Sequence, residues 1–315
     1  AYENSIMKEG ALAGLYQVAL VRGEFDRAAQ YAEQLDDLSG GRPWTRAMPI
    51  ETLIRAGEQK KADKATAAAL ESITEPKERR AFLRELAKGQ LAAGHFAEAE
   101  RTARQARELD EPNEPDEVTA RFLAWSLMNQ GKTDEAERVI AEAIAEHPYS
   151  ADLRVYGSFN ALIAGDAETA ERRAAEVLAR GPAISAAHVA LAYALGQQGK
   201  FDRAVPHAER ALAMGPDRTS RTLLAWVLIA GEIDLERGLE LAVKAVDTPD
   251  SYFEAANDLS CMALAEHCLG VAYLKQGRYD EAVAVLTEAS RLRPEHAAIR
   301  EQLEQASQLS VQSGS

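Results

Sequence analysis

The chain has 315 residues and carries 50 Asp and Glu against 36 Lys and Arg, a formal net charge of −14. A surplus of that sign argues against nonspecific attraction to nucleic acid or to an anionic membrane surface, both of which need a positive field. Aromatics are only 6% of the residues and no run of 18 apolar residues exists, so the composition predicts an all-α protein without a transmembrane helix.

Eight glycines, at positions 23, 57, 94, 131, 165, 199, 231 and 277, recur with separations of 34, 37, 37, 34, 34, 32 and 46 residues. A period near 34 is the mark of a stacked repeat array. Alanine stands five positions after the glycine at 28, 62, 99, 136, 170, 204 and 282, with Glu236 the exception. Small residues stand seven before it at Ala87, Ala124, Ser158, Ala192 and Gly270, and prolines seventeen after it at Pro148, Pro182, Pro216 and Pro294. The pattern predicts two antiparallel helices per unit. Glycine ends the first, small side chains let the two backbones approach, and proline ends the second.

Along the chain, the first unit turns at Gly23 and closes in the breaker-rich stretch 39–43. The second, at Gly57, has Ile50 where a small residue is expected, and it and the third carry three extra residues in the turns that follow, the later one at 111–115. The units at Gly131, Gly165 and Gly199 keep the spacing, and Pro206 falls near the first turn of a second helix, where a missing N–H does least harm. The unit at Gly231 is irregular: its second helix fits only with a shift of two, so that Gly238, Ala242 and Ala245 take the small positions. About ten further residues then accumulate in 249–268, read as a first helix lengthened by two or three turns that carries Tyr252, Phe253, Asn257, Asp258 and Cys261. Cys261 and Cys268, seven apart on that helix, would stand ~10.5 Å from each other, beyond the ~7 Å reach of a disulfide, and are expected as free packed thiols. Residues 295–309 read as a capping helix with the stripe Ile299, Leu303 and Ala306, and 310–315 as a disordered tail.

The pattern resembles the tetratricopeptide repeat family. The last unit carries the likeness best, with Leu269, Gly270, Tyr273, Gly277, Tyr279, Ala282, Leu286 and Pro294. The resemblance covers roughly residues 10 to 294 and implies a right-handed α-solenoid of about eight antiparallel helix pairs with a C-terminal capping helix. The array is read as residues 1–294. The resemblance also places an inner groove at positions ten, nine, six and two before each glycine. At six before, successive units offer Trp125, Phe159 and Tyr193, with Phe122 and Tyr156 beside them; the core positions of the Gly131 unit are already taken by Leu123, Leu127 and Ile140. Half-exposed, five such rings form a patch of roughly 400–600 Å², at or above what a monomer ordinarily leaves uncovered. Arg84, Lys88 and Arg121 flank it, and Tyr252 and Phe253 are placed at one end of the groove. The asparagines of the family's carboxylate-clamp members are missing six before the glycines.

No phosphate loop or nucleophile motif is present, the six histidines are scattered over different repeats, and His267 with Cys261 and Cys268 does not converge on one ion. The expectation is therefore a non-enzymatic scaffold without cofactor or metal, which holds a protein or peptide segment in its groove. It would bind no nucleic acid and would not insert into a membrane. A lipid-like apolar ligand in the same groove and self-assembly into a homo-oligomer are the other readings. Localisation is read as soluble and cytoplasmic, or exported or tethered with a leader or anchor removed.

Overall fold

The structure, a computed structural model, describes residues 2–110, 114–181, 183–248, 258–294 and 296–313, with side chains for all of these except 2–6 and 258–261. Helices account for about 82% of the described residues, which contain no β-sheet. The first eight helices are α1 (Tyr2–Val21), α2 (Phe25–Ser39), α3 (Pro43–Arg55), α4 (Gln59–Ser72), α5 (Pro76–Ala92), α6 (Phe96–Arg107), α7 (Glu117–Asn129) and α8 (Thr133–Glu146). They are followed by α9 (Ala151–Ile163), α10 (Ala167–Arg180), α11 (Ser185–Gln197), α12 (Phe201–Met214), α13 (Arg218–Ala230), α14 (Leu235–Val246), α15 (Asp258–Lys275), α16 (Tyr279–Leu292) and α17 (Ala297–Ser313). The described helices make eight successive pairs and a final single helix, an all-α repeat solenoid. They fall into two compact units, the first reaching Tyr156 and the second beginning at Gly157, inside α9.

Within each unit the core is built as the small-residue pattern dictates. In the first, Leu12, Tyr16 and Ala19 of α1 meet Ala28, Ala32 and Leu35 of α2 and Met48 of α3. In the second, Ala174, Leu191, Leu195, Ala204, Ala208, Ala211, Leu223, Leu224 and Leu228 form one cluster across α10 to α13. Leu123, Leu127 and Ile140 are buried, as their core positions require. Most of the buried positions on the second helices are alanine, which keeps the backbones close.

The Gly231 unit differs from its sequence reading. Seven of the eight repeat glycines turn left-handed, with φ between 69° and 81°, whereas Gly231 has φ −78° and Glu232 has φ 53°. The amide of Glu232 donates to Ile229 O at 3.3 Å and that of Ile233 to Leu228 O at 3.0 Å. These bonds reproduce Gly199 to Gly196 O and Lys200 to Leu195 O, both 2.9 Å. Glu232 is thus the turn residue: α13 has the same thirteen residues as α11, so one position of the shift is the move of the reference from Gly231 to Glu232 and the other is an extra residue in the turn before Leu235. Gly231 stays glycine for another reason: a Cβ there would lie 2.6 Å from Phe201 Cβ.

Helix α15 is described from Asp258, and 249–257, with Tyr252 and Phe253, lie outside the described residues. One boundary moves. Helix α17 runs to Ser313 rather than stopping at Leu309, so 310–313 are not a disordered tail. The Ser310 hydroxyl donates to Asp280 Oδ1 at 2.5 Å and holds that last turn against α16.

Candidate functional site

Moving the reference residue to Glu232 changes which side chains share the groove. Six before it stands Trp226 rather than Ala225, and Ala225 becomes the small residue seven before. Trp226 therefore continues the series Trp125, Phe159 and Tyr193. A signal for it was present in the sequence: the small position of this unit is filled only if the count starts at 232.

The second unit contains an open pocket of about 430 Å³ on these positions. Tyr193 and Gln197 of α11, Thr222, Trp226 and Ala230 of α13, and His267, Cys268 and Val271 of α15 line it, with His296 and Gln302 closing one side. The Trp226 indole stacks on Tyr193 at 5.6 Å between ring centroids and takes the edge of Phe201 at 6.0 Å. Gly196 makes that place available, because a Cβ on it would lie 2.4 Å from two atoms of the indole. Phe159 is half-buried and packs on the same α10–α13 core.

The polar side of this pocket is unsatisfied. Thr222 Oγ1, His267 Nε2 and His296 Nδ1 are buried with no hydrogen-bond partner among the described residues. The His267 and His296 rings face each other at 6.0 Å. Burial, together with the neighbouring His296, pushes His267 down from 6.5 to about 4, so it is neutral at pH 7. Burial likewise pushes the Cys268 thiol up to about 12, which leaves it protonated and unreactive. The pocket thus pairs an aromatic wall with polar donors and acceptors, and no Asp, Glu, Lys or Arg lines it. Leaving such groups unpaired typically costs ~1–3 kcal/mol each, which a ligand with matching groups would recover.

The first unit presents a different surface on the same register. Its small pocket, about 80 Å³, is lined by Tyr16, Gln17, Glu51, Glu85 and Lys88 among others. The Tyr16 hydroxyl donates to Met48 O at 2.9 Å, and the Arg55 guanidinium donates to Glu51 at 3.1 Å with both side chains buried. Trp125 meets Tyr156 edge-on at 5.7 Å, and Phe122 is half-buried on the same helix. The three flanking cations are engaged. Arg84 binds Asp116 at 3.1 Å and Glu85 at 3.4 Å, Lys88 binds Glu85 at 3.4 Å, and Arg121 pairs with Asp152 while lying over the Tyr156 ring at 5.9 Å. Burial would raise the Asp116 carboxyl, but Arg84 and the Thr119 hydroxyl and amide hold it below the usual range. Of the ten residues singled out by sequence, the structure brings Trp125, Tyr156 and Arg121 together in the first unit. Phe159 and Tyr193 belong to the second.

The fold is that of an α-helical repeat protein. A tetratricopeptide repeat profile matches residues 263–296, and a second profile of that repeat matches 84–151, 160–219 and 189–245. Together these span more than half of the sequence, and the chain belongs to the tetratricopeptide repeat family. Among solved structures, the APC/C hetero-tetramer Cut9–Hcn1 matches with a TM-score of 0.61 at 14% identity, over 94% of this chain and 55% of that one. Yeast Tom70 matches with 0.58 at 16%, over 92% and 59%. A tetratricopeptide repeat protein from Parabacteroides merdae matches with 0.56 at 15%, over 82% and 99%. The chain spans less than two thirds of the first two, and at these identities the likeness is one of fold. No match to a curated protein sequence was found. No described helix is long and apolar enough to cross a membrane.

Proposed function

We propose that the chain is a scaffold that seats a segment of another protein in the groove pocket of its second unit. The observation that carries this reading is the combination of the Tyr193–Trp226 wall with the unpaired Thr222 hydroxyl and His267 and His296 nitrogens. An apolar side chain of the segment would lie on the stacked rings, and its backbone amides would meet the three polar atoms. The same pocket could admit a lipid-like ligand, but an acyl chain would leave those atoms unsatisfied. The Trp125–Tyr156 pair under Arg121 is a second contact surface, in the first unit.

The test is affinity capture with wild-type protein, identification of the bound segment, and titration of that segment against Trp226→Ala and Trp125→Ala. Aromatic anchors at interface centres typically carry ~2 kcal/mol or more, so Trp226→Ala should weaken binding about thirtyfold while the protein still melts cooperatively. Unchanged affinity in Trp226→Ala would remove the pocket from the site. Loss in Trp125→Ala alone would move the site to the first unit. Recovery of lipid rather than protein in an organic extract would favour the carrier reading.

A further inference from the structure

Helix α1 has an apolar face that no other described residue covers. Met7, Gly10, Ala11, Gly14, Leu15 and Val18 recur at helical spacing and are exposed, Met7 at 69%, Leu15 at 47% and Val18 at 48%. The opposite face, Leu12, Tyr16, Ala19 and Leu20, is in the core. A helix apolar on both sides is ordinarily buried on both sides.

The repeat shows what belongs on such a face. Ala11, Leu15 and Val18 stand twelve, eight and five before Gly23. The equivalents in α11 are Ala187, Leu191 and Ala194, in α13 Ser220, Leu224 and Val227, and in α15 Ala265, Leu269 and Ala272, all buried. In α11 and α15 they meet the small residues of the preceding second helix, Ala170 and Ala174 of α10 or Ala242 of α14. That helix runs antiparallel to the face it covers, because a short turn joins the two. The α1 face is therefore built to receive an antiparallel helix with a small-residue seam.

The geometry points to a second copy of this chain as the occupant, with α1 packed on its own twofold mate. A twofold axis across the helix sets the mate antiparallel, as the repeat requires. Centred between residues 12 and 13, it places Leu15 opposite Gly10, Gly14 opposite Ala11 and Val18 opposite Met7. Leu15 of each copy then meets Gly10 of the other, and Gly10 and Gly14 have no atom within 4 Å of where a Cβ would stand. Lys8 faces Gln17, so no like charges oppose each other within 7–18. The α17 helix is not the occupant, because its outward positions Arg300, Glu301, Glu304 and Gln308 are polar and exposed.

A face some 16 Å long and one helix, ~10 Å, wide offers on the order of 200 Å², well under the usual ~800 Å² per partner, so the dimer is expected to be weak and to form only at high concentration. Sedimentation equilibrium of the whole chain from about 1 µM to about 300 µM would bracket it. We expect the mass to double across the series for wild type, and the dissociation constant to rise at least tenfold in Leu15→Glu. Gly10→Leu is the second variant. It adds no clash within the subunit and improves helix propensity, so dilute protein should melt no lower than wild type. It nonetheless fills the space facing Leu15, so dimerisation should weaken at least tenfold. Trp226→Ala should dimerise as wild type does, which separates this interface from the groove. A monomer at every concentration, or a dimer indifferent to either α1 substitution, would overturn the proposal.

Discussion

Gly196 and Trp226 are complementary in shape: the indole occupies the volume that any side chain at 196 would claim. The same pocket shows how a single imidazole couples stability to pH. His267 is held neutral by burial and by His296, and its folded value of about 4 lies below the ordinary 6.5. The unfolded chain accordingly takes up that proton first as pH falls. The contribution is complete above pH 6.5, declines through the interval, and is gone once the folded site itself titrates near 4, amounting to about 3 kcal/mol in all. Denaturant midpoints measured from pH 7.5 to 5 should fall, and His267→Gln should flatten that slope. An unaltered slope in the variant would assign the pH dependence to other groups.

At the scale of the element, α17 covers what the last pair would otherwise expose. Ala306 and Leu303 close over Ala282 and Leu286, and Ile299 over Ala289 and Ala263. Deleting 297–315 should therefore produce concentration-dependent aggregation at low temperature, visible in light scattering. A deletion that stays monomeric and equally stable would make the helix an appendage. Most elements were legible because a turn that needs a left-handed residue so often has glycine there. Where that link breaks, at Glu232, the reading slipped by one residue and lost Trp226. The α17 end was misjudged for a different reason: a serine-rich tail carries no helical stripe, and a tertiary hydrogen bond to Asp280 holds it. Nor could the pocket have been read from the sequence, since it depends on three polar atoms that meet only after α13, α15 and the approach to α17 pack.

In the molecule as a whole, each unit's helices pack chiefly on those one or two places away in the chain. Stability is then a sum of local terms coupled to neighbours rather than one global quantity. Leu228→Ala, which opens a cavity at a residue 1% exposed, should cost roughly 2–5 kcal/mol. Amide exchange should accelerate in α11 to α15 and remain as in wild type in α1 to α6. Uniform acceleration across all helices would instead show a single cooperative body. The turn at Glu232 carries one more consequence. A residue added inside a helix rotates everything after it by about 100°, turning its alanine seam away from its partner. In this chain α13 keeps the thirteen residues of α11 and the extra residue lies in the turn after Glu232, so Gly238, Ala242 and Ala245 still face inward. The loops at left-handed residues act as phase resets, and it is there that the chain can change length without disturbing the repeats downstream.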